Sequence, residues 1–397
     1  MKKKYEFLDL ATVDAPYLRD IEEAVCRVIR SGRYIGGPEC SALEERLASL
    51  TGSTFAIGVS NGLDALRLIL RGYVELGVMA PGDEIIVPAN TYIASVLAIS
   101  DAGLTPVLVE PDPLTSNLDT SAALRAIGPR TRGVMPVHLY GRVCWDENLL
   151  AIARDMGLKI IEDNAQAIGA RSPIAGIDGK SHTTGALGHA AAFSFYPTKN
   201  IGAIGDAGAV TTSDPDLAAA VRALANYGSD RRYHNIYRGF NCRLDPIQAA
   251  IIGVKLNHLE AESRRRREIA DIYLNEINNP AVLLPLRCGD SCVWHQFVVH
   301  VADRPRFTAH LDAHSVGWDI HYATPPHRQP CYTADSSPSA GVDSCLSPEN
   351  PPLFRIPEPL TVTDQLADTC VSLPISRCTI PDDARHIAAI INAFPAI

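Results

Sequence analysis

Between about residues 54 and 213, seven short apolar runs are separated by longer amphipathic stretches: Phe55 to Val59, Glu84 to Val87, Pro106 to Val109, Gly133 to Val137, Lys159 to Ile161, Ala191 to Phe195 and Gly208 to Thr212. Short apolar runs alternating with helix-length segments are the rhythm of a doubly wound α/β sheet, mostly parallel and covered on both faces. Few other folds accommodate that alternation. Leu63, Leu66, Leu70 and Tyr73 recur at helical spacing, so Gly62 to Tyr73 reads as a helix following the first strand. A second helix is expected over Asp146 to Asp155.

After Asn241 the texture changes. Ile247, Ile251 and Val254 form one helical row, Ile252, Leu256 and Leu259 the next, and charges follow past Tyr273, which predicts a connector to a second domain. From about residue 293, strand-like runs such as Phe297 to Val301 mix with turn-rich sequence, as in a smaller α+β domain. The expected division is a large domain with an N-terminal arm over 1–255 and a small C-terminal domain over 256–397. Tyr332 to Pro359, rich in Ser, Pro, Asp and Gly, reads as one long loop.

Composition narrows the function. A chain of 397 residues with 46% hydrophobic and 20% charged residues can build a large core. The net charge of −9 leaves no basic face for a nucleic-acid backbone, and the one basic run, Arg264 to Arg267, falls in a helical pattern and reads as a solvated face. A local pocket for one nucleotide diphosphate is still compatible with an acidic whole. The ten cysteines are scattered, with no two close pairs at zinc-ligand spacing; the nearest pair, Cys288 and Cys292, reads as loop, and no metal is expected. No apolar stretch is long enough for a signal or a membrane span, so the expectation is a cytoplasmic protein with reduced thiols and no membrane partner.

Three elements carry chemistry. Lys199 follows the apolar run 191–195 and precedes the glycine-rich Gly202-Ala203-Ile204-Gly205-Asp206-Ala207-Gly208. A lysine at a strand end can point into a cleft, where partial desolvation favours the neutral amine that attacks an aldehyde cofactor. On spacing alone a surface lysine would be the commoner outcome. Asp163 ends Lys159-Ile160-Ile161-Glu162-Asp163, where a buried parallel strand delivers its last side chain to the crevice outside the sheet. A carboxylate there can keep a pyridine nitrogen protonated; it can also cap a helix starting near Ala165. Gln166, nearly one helical turn on, could reach the ring hydroxyl. Ser60-Asn61-Gly62-Leu63 puts small residues at the start of the first helix, whose free N–H groups suit phosphate. Phosphate turn, strand-end aspartate and strand-end lysine fall in the order of a fold-type I pyridoxal-phosphate enzyme, the aspartate aminotransferase-like architecture.

The chain also resembles the DegT/DnrJ/StrS sugar aminotransferases over nearly its whole length, most specifically in Glu162-Asp163-Asn164-Ala165-Gln166, in Ser194-Phe195-Tyr196-Pro197-Thr198-Lys199-Asn200 and in Gly239-Phe240-Asn241-Cys242-Arg243-Leu244-Asp245-Pro246. The resemblance implies that Lys199 holds pyridoxal 5'-phosphate and carries the proton, with the pyridoxamine form between half-reactions. It implies Asp163 at the pyridine nitrogen, Gln166 beside the ring oxygen and Tyr92 stacked on the ring. Gly62, Leu63 and Ser194 would hold the phosphate, joined by Asn241 from the second subunit of a homodimer. His321 and Tyr322 would line the sugar pocket, with Tyr34 and Arg243 near the entrance. Asn61 to Leu66, Tyr233-His234-Asn235 and His321 to His327 are similar to the branch that aminates dTDP-3-keto-6-deoxyhexoses with L-glutamate as donor. UDP-linked 3-keto sugars are the alternative substrate, and a non-catalytic regulator of this fold is the alternative class. Family members that dehydrate sugars carry histidine in place of the lysine. Leu63 departs from the hydroxyl residue common at its position, which leaves one phosphate contact to the backbone or to another group.

Overall fold

The computed structural model describes residues 4–333 and 353–395. The seven apolar runs become seven strands: β1 (Phe55–Val59), β2 (Glu84–Pro88), β3 (Thr105–Val109), β4 (Thr131–Val134), β5 (Lys159–Asp163), β6 (Ala190–Ser194) and β7 (Gly208–Thr212). They lie side by side in the order β1-β7-β6-β5-β4-β2-β3. Only β7 runs against its neighbours, pairing antiparallel with β1 and β6. The ends of β1, β2, β4, β5 and β6 therefore open on one edge, which is where α/β sheets place ligands.

The helix Gly62–Glu75 crosses from β1 over β7 and β6 and buries Leu66, Leu68, Ile69, Leu70 and Tyr73 in the main core. Each such Leu or Ile contributes about 1.5–3 kcal/mol of apolar transfer, so this one helix ties the phosphate turn to the sheet. The expected helix over Asp146 to Asp155 forms from Glu147, with Asp146 as its cap, donated to by the Leu149 N–H at 3.0 Å.

The helical pattern after Asn241 splits into Pro246–Leu256 and Leu259–Glu276. On the second of these the solvated-face reading of Arg264 to Arg267 fails at one position. Arg266 is 4% exposed and donates to the carbonyls of Trp294, His295 and Ile375. At helical spacing one of four consecutive residues must face inward, and here three orphan carbonyls make a charged one tolerable.

A second core gathers Ile269, Tyr273, Phe297, Val299, Phe307, Leu373 and Ile387 around the antiparallel strands β8 (Phe297–His300) and β9 (Cys370–Leu373). Tyr5 of the N-terminal arm joins it, pairing its backbone with Val316. The Tyr332–Pro359 loop expectation lies largely outside the described residues, and its described flanks are anchored. The Tyr332 hydroxyl is 2.8 Å from Ser100 Oγ, and Arg355 pairs with Val107 of β3 through its backbone and with Glu84 through its guanidinium at 3.0 Å.

Candidate active site

A cleft of about 450 Å³ opens at the strand-end edge and is lined by residues of the sheet side together with His295, Gln296, His321 and Tyr322. Nine of the sequence-expected residues line it: Gly62, Leu63, Tyr92, Asp163, Gln166, Ser194, Lys199, His321 and Tyr322.

At its base, Asn61 caps the helix Gly62–Glu75, its side chain accepting from the Asp64 N–H at 2.8 Å. The first-turn N–H groups of Gly62 and Leu63 have no intrahelical acceptor and both residues line the cleft, the arrangement that suits a phosphate. Gly62 is required for close approach: a Cβ there would stand 2.7 Å from the Ser194 Cβ. Because the backbone offers two donors at this turn, Leu63 in place of a hydroxyl residue costs one side-chain contact and leaves the N–H pair intact.

Asp163 is 6% exposed, yet its carboxylate is provided for. Oδ2 accepts the Ser95 hydroxyl at 2.7 Å, and Oδ1 accepts the Ala165 N–H at 3.2 Å. The second bond is the capping contact expected from sequence, but residues 164–169 form turns where a helix was considered. Thr91 continues the chain, its hydroxyl 2.8 Å from Ser95 Oγ. The neighbouring Glu162, on the opposite face of β5 and fully buried, accepts the N–H groups of Gly185, Leu187 and Gly188, each at 2.9 Å, together with His138 Nε2. His138 Nδ1 accepts the Cys144 N–H at 3.0 Å, so its proton sits on Nε2 and points at Glu162. This buried network fixes the end of β5 from behind while Asp163 faces the cleft.

Lys199 follows β6 in a turn closed by its own N–H on the Tyr196 carbonyl. Burial lowers its amine to about 8, against the opposing attraction of the Asp163 carboxylate. That raises the neutral fraction at pH 7 from about one in several thousand to about one in ten. Gln166 directs Nε2 to the Tyr322 hydroxyl at 3.0 Å, and the Tyr322 ring stands 5.1 Å from that of Tyr92. His321 Nδ1 is 2.7 Å from Ser372 Oγ, and burial holds the imidazole below its ordinary value.

Tyr34, Asn241 and Arg243 are not among the residues lining this cleft. Tyr34 is 57% exposed, with its hydroxyl on the Ile29 carbonyl at 3.1 Å. Arg243 donates to Asn226 Oδ1 at 2.9 Å and lies over the Tyr227 ring, and exposed Asn241 bridges Asn226. Within one chain these three do not line the cleft, although the Arg243 backbone bridges Val59 at the end of β1.

The cleft also holds residues that sequence reasoning passed over: Thr198, Asp206, His295 and Gln296. His295 is buried and pushed well below the usual histidine range, first by desolvation and then by the nearby Lys199 charge. Its Nδ1 lies 3.1 Å from Asn200 Oδ1, while Asn200 Nδ2 donates to the Val293 carbonyl. The adjacency of His295 and Gln296 to the strand-like run from Phe297 was the available signal.

Comparison with known proteins places the chain in one family. The model described as the DegT/DnrJ/EryC1/StrS aminotransferase family matches residues 18–345. A dTDP-3-amino-3,6-dideoxy-alpha-D-galactopyranose transaminase of Aneurinibacillus thermoaerophilus is 43% identical over 389 residues, 98% of this chain and 99% of its own length. A UDP-2-acetamido-2-deoxy-3-oxo-D-glucuronate aminotransferase of Pseudomonas aeruginosa is 39% identical, covering 82% of this chain and 88% of its own. Among solved structures, S. venezuelae DesV in complex with a ketimine intermediate superposes with a TM-score of 0.86 at 38% identity, covering 99% of this chain and 98% of that one.

Proposed function

Since the chain belongs to the DegT/DnrJ/EryC1/StrS aminotransferase family, we propose that it moves an amino group from L-glutamate to a dTDP-linked 3-keto-6-deoxyhexose, giving the 3-amino-3,6-dideoxy sugar nucleotide. The observation that carries this reading is Lys199, an amine lowered to about 8, in one cleft with the Asp163 carboxylate and the open N–H turn at Gly62 and Leu63. The likeness to the A. thermoaerophilus transaminase over 98% of the chain supports the sugar.

The residues fit pyridoxal 5'-phosphate. The Gly62 cradle, which a Cβ would fill, and the Ser194 hydroxyl suit its phosphate, Asp163 its ring nitrogen, Gln166 its ring oxygen and Tyr92 one ring face. When bound, this group takes up an amino group and gives it back, its protonated ring withdrawing the electrons freed when a C–H proton leaves.

Lys199 would hold the cofactor through its amine and, when free, would carry the proton to and from the substrate carbon. Its lowered basicity keeps enough neutral amine for both tasks. Asp163, held by Ser95 and Ala165, would be the partner of the ring nitrogen. His321 and Tyr322 stand on the sugar side, and the exposed Asn241 completes the phosphate site of a second subunit in a homodimer.

The test is a single turnover. The enzyme is converted to its pyridoxamine form with L-glutamate, freed of excess, and mixed with dTDP- and UDP-linked keto-sugars while the visible absorbance of the aldehyde form is followed. Return of that absorbance with the dTDP-3-keto-6-deoxyhexose at higher rate over affinity than with any UDP sugar is the expected result. Preference for a UDP-3-keto sugar, the reading favoured by the P. aeruginosa likeness, would replace the substrate and keep the reaction.

A further inference from the structure

The turn after β4, His138-Leu139-Tyr140-Gly141, touches several walls of the cleft. Tyr140 holds a left-handed backbone, φ 59°, beside Gly141 at φ 90°, where a Cβ would come within 2.8 Å of the His295 backbone nitrogen. In that conformation the Tyr140 N–H donates to Gln166 Oε1 at 2.6 Å, its carbonyl accepts the Gln296 N–H at 3.3 Å, and its hydroxyl donates to the His321 carbonyl. One residue thus ties Gln166 of the β5 side to the segment that carries His321 and Tyr322.

These contacts set a polarity. Gln166 Oε1 is taken by Tyr140, so the amide turns Nε2 toward the Tyr322 hydroxyl oxygen, 3.0 Å away. A hydroxyl that accepts on one side keeps its own proton for an acceptor on the other. Burial pushes both phenols above the ordinary tyrosine range, so each stays protonated. Tyr322 lines the cleft.

We propose that Tyr140 is a positioning residue that fixes Tyr322 as a hydrogen-bond donor to an oxygen of the keto-sugar. This rests on the nucleotide keto-sugar reading above. Its consequence is an asymmetry between the half-reactions: the amino acid depends on Lys199 and Asp163, whereas the sugar depends on Tyr322 as well.

Tyr140→Phe in the holoenzyme removes the hydroxyl and its bond to His321 but keeps the N–H on Gln166. The expected result is a KM for the sugar raised about threefold to tenfold, as for one lost hydrogen bond, with kcat and the L-glutamate half-reaction within about twofold. Tyr322→Phe should also raise the sugar KM, and the double variant should fall short of the product of the two single effects, because the tether acts on the sugar only through Tyr322. Equal loss in both half-reactions, or fully multiplicative effects, would overturn the proposal. Deuterium exchange over residues 318–324 reads the tether without substrate: Tyr140→Phe should speed uptake there and leave 160–166 unchanged. Wild-type uptake at 318–324 would overturn the tether by itself. Failure of the wild-type enzyme on every sugar, with faster uptake in Tyr140→Phe, would instead overturn the substrate reading and leave the tether standing.

Discussion

At the scale of single residues, the chemistry turns on one amine. Lys199 and Asp163 were legible in the sequence because Asp163 ends an apolar run and Lys199 follows one in the turn beyond it, and a parallel sheet gives such positions one destination. Their chemistry followed from residue type. The contacts that surround them were not legible: Ser95 lies 68 residues from Asp163, and in the same cleft wall Asn200 lies 95 from His295, distances that only the fold closes. In cofactor-free protein, trinitrobenzenesulfonate labelling of Lys199 should rise with pH through about 8, and not near the ordinary 10.5. The sign of the Asp163 contribution gives a second outcome. Its carboxylate favours the ammonium, so Asp163→Asn should move the midpoint lower still. A wild-type value near 10.5 would mean that the amine is solvated, and a midpoint that rises in Asp163→Asn would mean that the carboxylate does not favour the ammonium.

Among elements, β5 shows how alternation divides labour. Asp163 faces the cleft, and Glu162, one residue earlier, faces a buried cage of three N–H groups and His138. Apolar periodicity marked the strand but not the cage, because the donors come from a turn at 185–188 that carries no pattern of its own. Removing one side of such a buried charged network costs about 3–5 kcal/mol. Glu162→Ala should therefore lower the denaturant midpoint markedly, and cofactor retention should weaken with it, since the end of β5 loses its backing. An unchanged midpoint would make the network dispensable. The long helical pattern after Asn241 teaches the converse lesson: periodicity located helix but missed the break at Asn257-His258 and the inward turn of Arg266, both of which answer to tertiary partners.

For the whole molecule, the sequence order of seven runs anticipated a seven-stranded, mostly parallel sheet, but not that β7 runs antiparallel. No pattern along a strand encodes its direction. Among the described residues no helix is long and apolar enough to cross a membrane. Asn241, exposed and not lining its own cleft, is proposed to complete the partner's site, and that proposal has a direct consequence. Lys199→Ala and Asn241→Ala proteins, each impaired alone, should regain activity when unfolded and refolded together. Half the dimers would then be mixed, each with one intact site, for about a quarter of wild-type turnover. Absence of any recovery would place Asn241 outside a shared site.

The most direct test of the central claim follows the nitrogen itself. Holoenzyme is given L-glutamate labelled with ¹⁵N at the amino group together with the dTDP-3-keto-6-deoxyhexose, and the sugar nucleotide is isolated and weighed. The expected result is a 3-amino sugar nucleotide carrying ¹⁵N, formed by the wild-type enzyme and not by Lys199→Ala. Recovery of the keto-sugar unchanged, or of an amino sugar without ¹⁵N, would contradict the transfer from L-glutamate through Lys199 on which everything here depends.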